Sequence, residues 1–596
     1  MDKASPYGYS SLPLDSIRLL CRDDGAGSSS NWSLSQHVLN DAPAFFALSY
    51  AWGAEKPTEK VNIKQSVLKI TLSLSILLQE LEARCDVCFI WIDQMCINQL
   101  DELEKAVQVK MMRDIYVSAQ KVLVWLGPST EGSNLAMDSI APLDELIGVL
   151  PLDILAHDDI NSRLLPGQDD PVWPALVDFY ARPWYHRLWV LQEAILAKDL
   201  EVLCGNRSMP WATFASFATK LHELMPLAWS RASHAHPSYG AYDSAQPQLP
   251  GFVSIRIIDN MRSGEAEGSK PAFWEYLSMG QKCKVSNPLD RVYGLLGLLD
   301  SEELIRSIDI QYDWEPWQGY LHFCKVYIER DPDLALFSMA GSRSKPKELP
   351  SWCPNFDSMP HVGSIYCDYS GFCAGIKPGG PRNSRIQTSA TSNTITVPGF
   401  RMDRVKAVTR ATHPLPNSIT PWKGPTGQAA KHEQYHLECL NVFKEAYPAM
   451  ATDLQALLRS LVAGHLSRYQ PLPAIDFSAV HFKLLDTWTA MASGGAIPRS
   501  SAKGLAVMGQ WLGALSVQAF RRFFVTEAGR VGIGSGSIEK GDHVCVFYSA
   551  GPLFLLRYVD PDAPAELVGD AYVDGLMDLE NMPGDTRGED EVFKIC

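Results

Sequence analysis

Three compact apolar runs punctuate the first 130 residues: FFALSYAWG (45–53), CFIWIDQMCINQ (88–99) and KVLVWLGP (121–128). Each is a short stretch of apolar or β-prone residues closed by turn chemistry, the pattern of a strand buried on both faces. Between them the pattern turns helical. VLKITLSLSILLQELEARC reads as a helix from about Ser73, and LDELEKAVQVKMMRDIYVSAQ sets Ala106, Val109, Met112, Tyr116 and Ala119 on one face at 3/3/4/3 spacing. Asn98 or Asp101 can cap the start of that second helix. Strands alternating with helices predict βα units, hence an α/β fold with a mainly parallel sheet flanked by helices. Ligands of such sheets bind beyond the carboxyl ends of the strands. The residues that close the runs are therefore the candidates: Ser49, Tyr50, Trp52 and Gly53, then 93–99, then Gly127 and Pro128.

Further along, 129–180 mixes helical pieces with a polar, Pro-containing stretch and reads as an insertion. RPWYHRLWVLQEAILA (182–197) follows, an apolar helix interrupted by Gln192 and Glu193. The segment 230–250 is a loop by composition, and its His234 and His236 read as solvated rather than as ligands. From 251 to 340 the pattern is helical, including NPLDRVYGLLGLLD, where Asn287 or Asp290 can start a helix after Pro288. The segment 376–396 reads as a linker or a long hairpin loop. The helical patterns HEQYHLECLNVFKEAY and DLQALLRSLVAGHL come next, then a β-rich end whose glycines read as turns. The chain thus divides into an α/β domain (1–210, with an insertion at about 129–180), a mainly helical extension (211–375) and a C-terminal mixed α+β region (376–596).

Bulk composition narrows the function classes. A chain of 596 residues exceeds one core. A net charge of −15 argues against broad binding to nucleic acid. No apolar run reaches the ~20 residues of a membrane helix, and the N-terminus lacks the apolar core of a signal peptide. A cytoplasmic protein off the membrane, with reduced thiols, is the expectation. Cys85 and Cys88 form one C-x-x-C without a second pair at zinc spacing, so no metal is expected. GIGSGS lacks the lysine and the helix of a P-loop. H-E-x-x-H, G-x-S-x-G and Walker A sequences do not occur.

The ordered set FFALSYAWG, WIDQMCINQ, DELEKAVQVKMMRDIY, VLVWLG and RPWYHRLWVLQEAILA resembles the fungal heterokaryon-incompatibility (HET) domain, over about residues 40–210. NPLDRVYGLLGL, LPSWCPNF, GDHVCVFYSAGPLFLLR and LVGDAYVDGLM resemble the region that accompanies it. HET domains are similar to TIR domains, which have a flavodoxin-like parallel sheet, and many of which cleave NAD at the nicotinamide–ribose bond. The resemblance implies a TIR-like sheet here. It also implies a catalytic role for Glu193, four residues after Trp189 as in the TIR pattern W-x-x-x-E-L, with Ala194 in place of the usual leucine. The 129–180 insertion interrupts the match. NAD enters as a substrate; no cofactor is implied.

The spacing has chemical content. Residues i and i+4 share a helix face, so Trp189 and Glu193 would point the same way. An indole can stack on a cationic pyridinium, and a carboxylate can stabilise charge as the glycosidic bond lengthens. Against this stands a structural role, in which Glu193 pairs with Arg182, Arg187 or His186. Asp93 is either a ligand contact or a cap for the next turn. Tyr50, Trp52 and Gly53 either line a ligand or close a turn. Arg187 either neutralises a pyrophosphate or pairs with Glu193. Asn98 reads as a cap, and Glu104 as facing solvent or Lys105. Three functions remain open: a TIR-like NAD glycohydrolase of fungal self/non-self recognition and cell death, acting as a homo-oligomer or with a fungal partner protein; a non-catalytic interaction module triggering incompatibility; and a HET-like enzyme of fungal secondary metabolism acting on another small molecule.

Overall fold

The computed structural model describes residues 5–23, 31–53, 56–82, 84, 88–149, 165–167, 169–223, 251–266, 271–330, 334–340, 345–357, 386–389, 392–412, 427–447, 456, 460–461, 465–467, 470–471, 520–548, 550–577 and 588–596. The loop at 230–250 with His234 and His236, most of the 376–396 linker and most of the DLQALLRSLVAGHL helix lie outside the described residues. The chain splits into two compact units, Met1–Trp314 and Glu315–Cys596.

The first unit is α/β, built on a ten-stranded mixed sheet. Its strands are β1 (Ser5–Pro6), β2 (Ser16–Asp23), β3 (Asn31–Val38), β4 (Phe46–Tyr50), β5 (Glu59–Ile63), β6 (Ser66–Ile70), β7 (Phe89–Trp91), β8 (Lys121–Trp125), β9 (Leu200–Cys204) and β10 (Arg207–Pro210). They are ordered β1-β6-β5-β3-β2-β7-β4-β8-β9-β10. The three apolar runs supply β4, β7 and β8, which lie side by side and parallel, with β9 parallel to β8. All of β4 is buried, as continuous apolar runs require.

The sheet is mixed rather than mainly parallel. The hairpins β2–β3, β5–β6 and β9–β10 are antiparallel, and β2 runs antiparallel to β7. Among them β5 has one solvated face: it alternates in burial and gives only a weak apolar signal. The β5–β6 turn is Lys64-Gln65, with Lys64 at φ 53°. That conformation is usually filled by Asn or Gly, so no turn signature marks it. The run 88–99 is only half strand: after Trp91 the chain makes one helical turn, Asp93–Cys96.

Helices follow where the 3.6-residue pattern predicts them, over Leu72–Glu82 and Glu102–Ser118. The Asp101 carboxylate caps the second, accepting the N–H groups of Leu103 and Glu104, so Asp101 rather than Asn98 is the cap. Glu104 faces neither solvent nor Lys105. It forms a bidentate pair with the buried Arg18, at 2.6 and 2.9 Å, and accepts the Asn98 N–H. The 129–180 stretch holds the helices Glu131–Gly148 and Val172–Tyr180. These pack on each other, and the first packs on Trp211–Glu223.

The second unit contains a closed β-barrel. Its strands are β11 (Gln387–Thr388), β12 (Ile395–Val408), a detached hairpin β13 (His465–Ser467) and β14 (Gln470–Pro471), then β15 (Arg522–Thr526), β16 (Val531–Gly534), β17 (His543–Phe547), β18 (Leu553–Arg557), β19 (Glu566–Val573) and β20 (Asp590–Ile595). The circuit runs β12-β15-β16-β19-β18-β17 and closes where β17 pairs back with β12. Closure depends on β12, which pairs with β17 through its middle and with β15 through its end. Register shifts at Arg401/Asp403 and Val405/Ala407 bend it between the two. Gly532 and Gly534 lie within β16 rather than in turns: a Cβ on Gly532 would stand 2.2 Å from the Tyr572 carbonyl oxygen. The helix Gly427–Ala446 lays Tyr435, Cys439 and Phe443 onto the barrel core at i, i+4, i+8.

Glu104→Ala strands the buried Arg18 guanidinium and is expected to lower stability by about 3 kcal/mol. Glu102→Ala removes only an exposed partner 3.4 Å from Lys105 and is expected to stay within about 0.5 kcal/mol of wild type. Urea denaturation midpoints of the two variants provide the comparison.

Candidate functional site

The segment 182–197 is folded by its own chemistry. Pro183 opens a single 3-10 turn, Pro183–His186. Arg187 is extended and bridges to Lys284, with the Leu188 N–H donating to the Lys284 carbonyl at 3.2 Å. The helix Val190–Ile195 then begins, and all six of its residues are buried. A helix buried on every side has no solvent face for a carboxylate, so Glu193 is fully enclosed, at 0% exposure.

Its partners come from the carboxyl ends of the neighbouring parallel strands. The Ser49 hydroxyl, next to last in β4, donates to Glu193 Oε2 at 2.5 Å and itself accepts the Trp184 indole N–H at 2.9 Å. Arg187 Nη1 lies 3.3 Å from Glu193 Oε1 and donates to the Tyr50 carbonyl at 2.5 Å. Arg187 Nη2 reaches Asp93 Oδ2 at 3.4 Å. Asp93, just beyond β7, also accepts the Trp52 indole N–H at 2.9 Å and the Gln94 N–H at 2.7 Å. One guanidinium, four-fifths buried, therefore serves two buried carboxylates.

The electrostatics follow from that ratio. Burial pushes Glu193 up to about 7; Arg187 and the Ser49 hydrogen bond oppose the rise, and Asp93 adds to it. Burial likewise raises Asp93 against the pull of Arg187 and Trp52. In Arg187 burial disfavours the charge, but the two carboxylates outweigh it and the net shift is upward. Tyr50, Trp91 and Trp125 are the last residues of β4, β7 and β8. The Tyr50 hydroxyl and both indole N–H groups are buried without a hydrogen-bond partner.

Of the residues singled out in the sequence, Glu193, Arg187, Asp93, Trp52 and the Tyr50 main chain are linked in one cluster. Trp189 is tied elsewhere: its indole N–H donates to Asp290 at 3.3 Å, and Asp290 also accepts the Tyr312 hydroxyl at 3.1 Å. Gly53 has φ 80°, the left-handed conformation its turn requires. Of the three proposed partners of Glu193, Arg187 is the one that meets it; Arg182 donates to the Leu126 and Pro128 carbonyls. Trp184 and Asp290 were not singled out for the site. Both lie inside motifs that carry the family resemblance, but the 101-residue separation of Trp189 from Asp290 has no local signal.

Residues 45–193 match the family model described as heterokaryon incompatibility protein (HET). The chain carries a HET domain. The match opens beside β4 and ends on Glu193, so it spans the charge cluster from its first strand to its buried carboxylate. Residues 499–593 match the Het-6 beta-barrel domain, and the described part of that stretch supplies β15–β19 and most of β20 of the barrel circuit and its flank. The chain is 23% identical, over 91% of its own length and 90% of the relative's, to heterokaryon incompatibility protein 6, OR allele, of Neurospora crassa. No solved structure matches the chain. Among the described residues of this HET-domain chain, no helix is long and apolar enough to cross a membrane.

The Glu193 shift has a pH signature. In the unfolded chain the group titrates near 4.5, and in the fold at about 7. The folded state thus holds a proton that the unfolded chain has released between those values. The associated stability is fully present below about pH 4.5 and is lost as pH rises through about 7. Glu193→Gln cannot titrate, so across that window it is expected to lose about 3 kcal/mol less stability than wild type. Urea midpoints measured against pH read the difference; equal slopes count against a raised Glu193.

Proposed function

We propose that this chain is an effector of fungal self/non-self recognition and cell death, and that its HET domain is a TIR-like NAD glycohydrolase with Glu193 as the catalytic carboxylate. One observation supports this reading above the others: two carboxylates and a guanidinium gather beyond the carboxyl ends of parallel β4 and β7, where ligands of α/β sheets bind. A carboxyl group that titrates near neutrality is what a charge-handling site requires.

The chemistry needs little more. The nicotinamide–ribose bond breaks with its electron pair leaving to a ring that already bears positive charge. No acid is needed to protonate the leaving group, unlike ordinary glycoside hydrolysis. Glu193 stabilises the positive charge that grows on the ribose as the bond lengthens. Water adds to that carbon and loses a proton, giving nicotinamide and ADP-ribose. Asp93 accepts from ribose hydroxyls, and Arg187 transfers its attraction from the carboxylates to the pyrophosphate. In the arrangement described Glu193 is fully enclosed. Catalysis in this reading therefore waits for Arg187 to move, which assembly with a second copy or a partner protein brings about.

The same enclosure favours a second reading, a non-catalytic interaction module in which the cluster only fixes the fold. The test is nicotinamide release from NAD by purified full-length protein with a crowding agent, wild type against Glu193→Gln at equal folded concentration. Release by wild type, falling at least ~100-fold in the variant, is the expected result. No release by either protein, with Glu193→Gln melting well below wild type and NAD shifting neither melt, would favour the non-catalytic module.

A further inference from the structure

Beside the barrel of the second unit, residues 345–351, Asn393 and Thr394 just before β12, and the ends of β18 and β19 line an open cavity of about 620 Å³. That is the size of a small-molecule site. Its charged lining is Lys345, Lys347, Glu348, Arg557 and Glu566. Lys347, Glu348 and Glu566 are exposed and form the rim. Arg557 is committed to Asp542 through two bonds of 2.8 and 2.9 Å and to the Ser537 carbonyl at 2.7 Å.

Lys345 is different. Its ammonium donates to the main-chain carbonyls of Ser351 at 2.6 Å and Cys353 at 2.9 Å. Among the described residues no Asp or Glu side chain lies within ion-pair distance of it. An ammonium has three donors, so one remains. The acceptors are held firmly. The Ser351 N–H donates to the Cys596 main-chain oxygen at 2.9 Å, and the Ser351 hydroxyl accepts the Leu567 N–H at 2.8 Å, tying the lysine's cradle to β19. The titratable groups that act on it are Cys353 and Cys324, the latter on the helix Pro316–Arg330 with its thiol pushed well up by burial. Neither supplies a counter-charge in its neutral form. Burial without a counter-charge pulls Lys345 down to about 8.

We propose that this cavity binds a small monocarboxylate with an apolar body, the carboxylate pairing with Lys345 and the body lying against Leu349, Leu567 and Val568. A half-buried cation without a side-chain counter-ion gains from an anion brought to it. One negative charge suffices. A phosphate dianion would need a second unpaired cation in the wall, but Arg557 is taken by Asp542, and the exposed rim Lys347 is outweighed there by Glu348 and Glu566.

The test titrates full-length protein calorimetrically with octanoate, octanamide and inorganic phosphate. Octanoate is expected to bind at least ~10-fold tighter than octanamide, with phosphate weaker than octanoate. Lys345→Met is expected to lose that preference and Lys345→Arg to keep part of it. A wild-type measurement stands independently of how the variants fold. A bound carboxylate favours the ammonium form, so octanoate binding is expected to take up about half a proton at pH 8. Titrations in buffers of different ionisation heat read that uptake. Equal affinity for octanoate and octanamide, tighter binding of phosphate, or no proton uptake would overturn the proposal.

Discussion

The HET domain is organised around a shortage of positive charge. Asp93 and Glu193 are both buried, and Arg187 is the guanidinium they share. Desolvating a carboxylate costs several kcal/mol unless partners replace the lost water. Here the replacements are specific: Ser49 for one Glu193 oxygen, Trp52 and the Gln94 main chain for Asp93, and Arg187 between them. The partners come from three stretches of the chain, with Ser49 and Trp52 both from β4 and the turn after it. β4, the turn after β7 and the segment 182–197 must therefore meet in one register, or a buried charge is left unpaired. The cluster acts as a specification of the sheet's centre, and hydrophobic burial of β4, β7 and β8 supplies the stability that this specification uses.

The pattern of what the sequence revealed follows the same physics. Strands buried on both faces announce themselves as apolar runs, and β4, β7 and β8 were legible for that reason. The hairpins around them were not, because a half-solvated strand such as β5 has a diluted pattern and Lys64-Gln65 carries no turn signature. In the candidate site, Arg187 and Glu193 are six residues apart on one local structure, so their pairing stood open to sequence reasoning. Ser49 and Glu193 are 144 residues apart, and Arg18 and Glu104 are 86 apart. Such pairings exist only once the sheet order exists. Trp189 shows the converse limit. Helical spacing put it on the same face as Glu193, yet Asp290, 101 residues away, holds its indole, and Trp189 stands just before the helix Val190–Ile195 rather than within it.

In the barrel, the glycines of β16 carry information of a different kind. Read as turn formers, they place breaks where the strand is continuous. Their role is steric: at Gly532 the neighbouring backbone of β19 comes closer than a side chain permits. Together with the bent β12, this lets a sheet of short strands close on itself and leaves the circuit without an open edge.

The distances within the charge cluster bear on how it moves. Arg187 makes its shortest bond, 2.5 Å, to the neutral Tyr50 carbonyl, while its two carboxylate contacts are 3.3 and 3.4 Å. Ser49 holds Glu193 at 2.5 Å and Trp52 holds Asp93 at 2.9 Å. The carboxylates are thus anchored by neutral donors and only leaned on by the cation. Removing Arg187 would break its Tyr50 bond as well as the two long carboxylate contacts, while Ser49 and Trp52 would still hydrogen-bond the two acids. The neutral donors that fix the acids are therefore distinct from the guanidinium that balances their charge, so the placing of the carboxyl groups and their neutralisation fall to different residues.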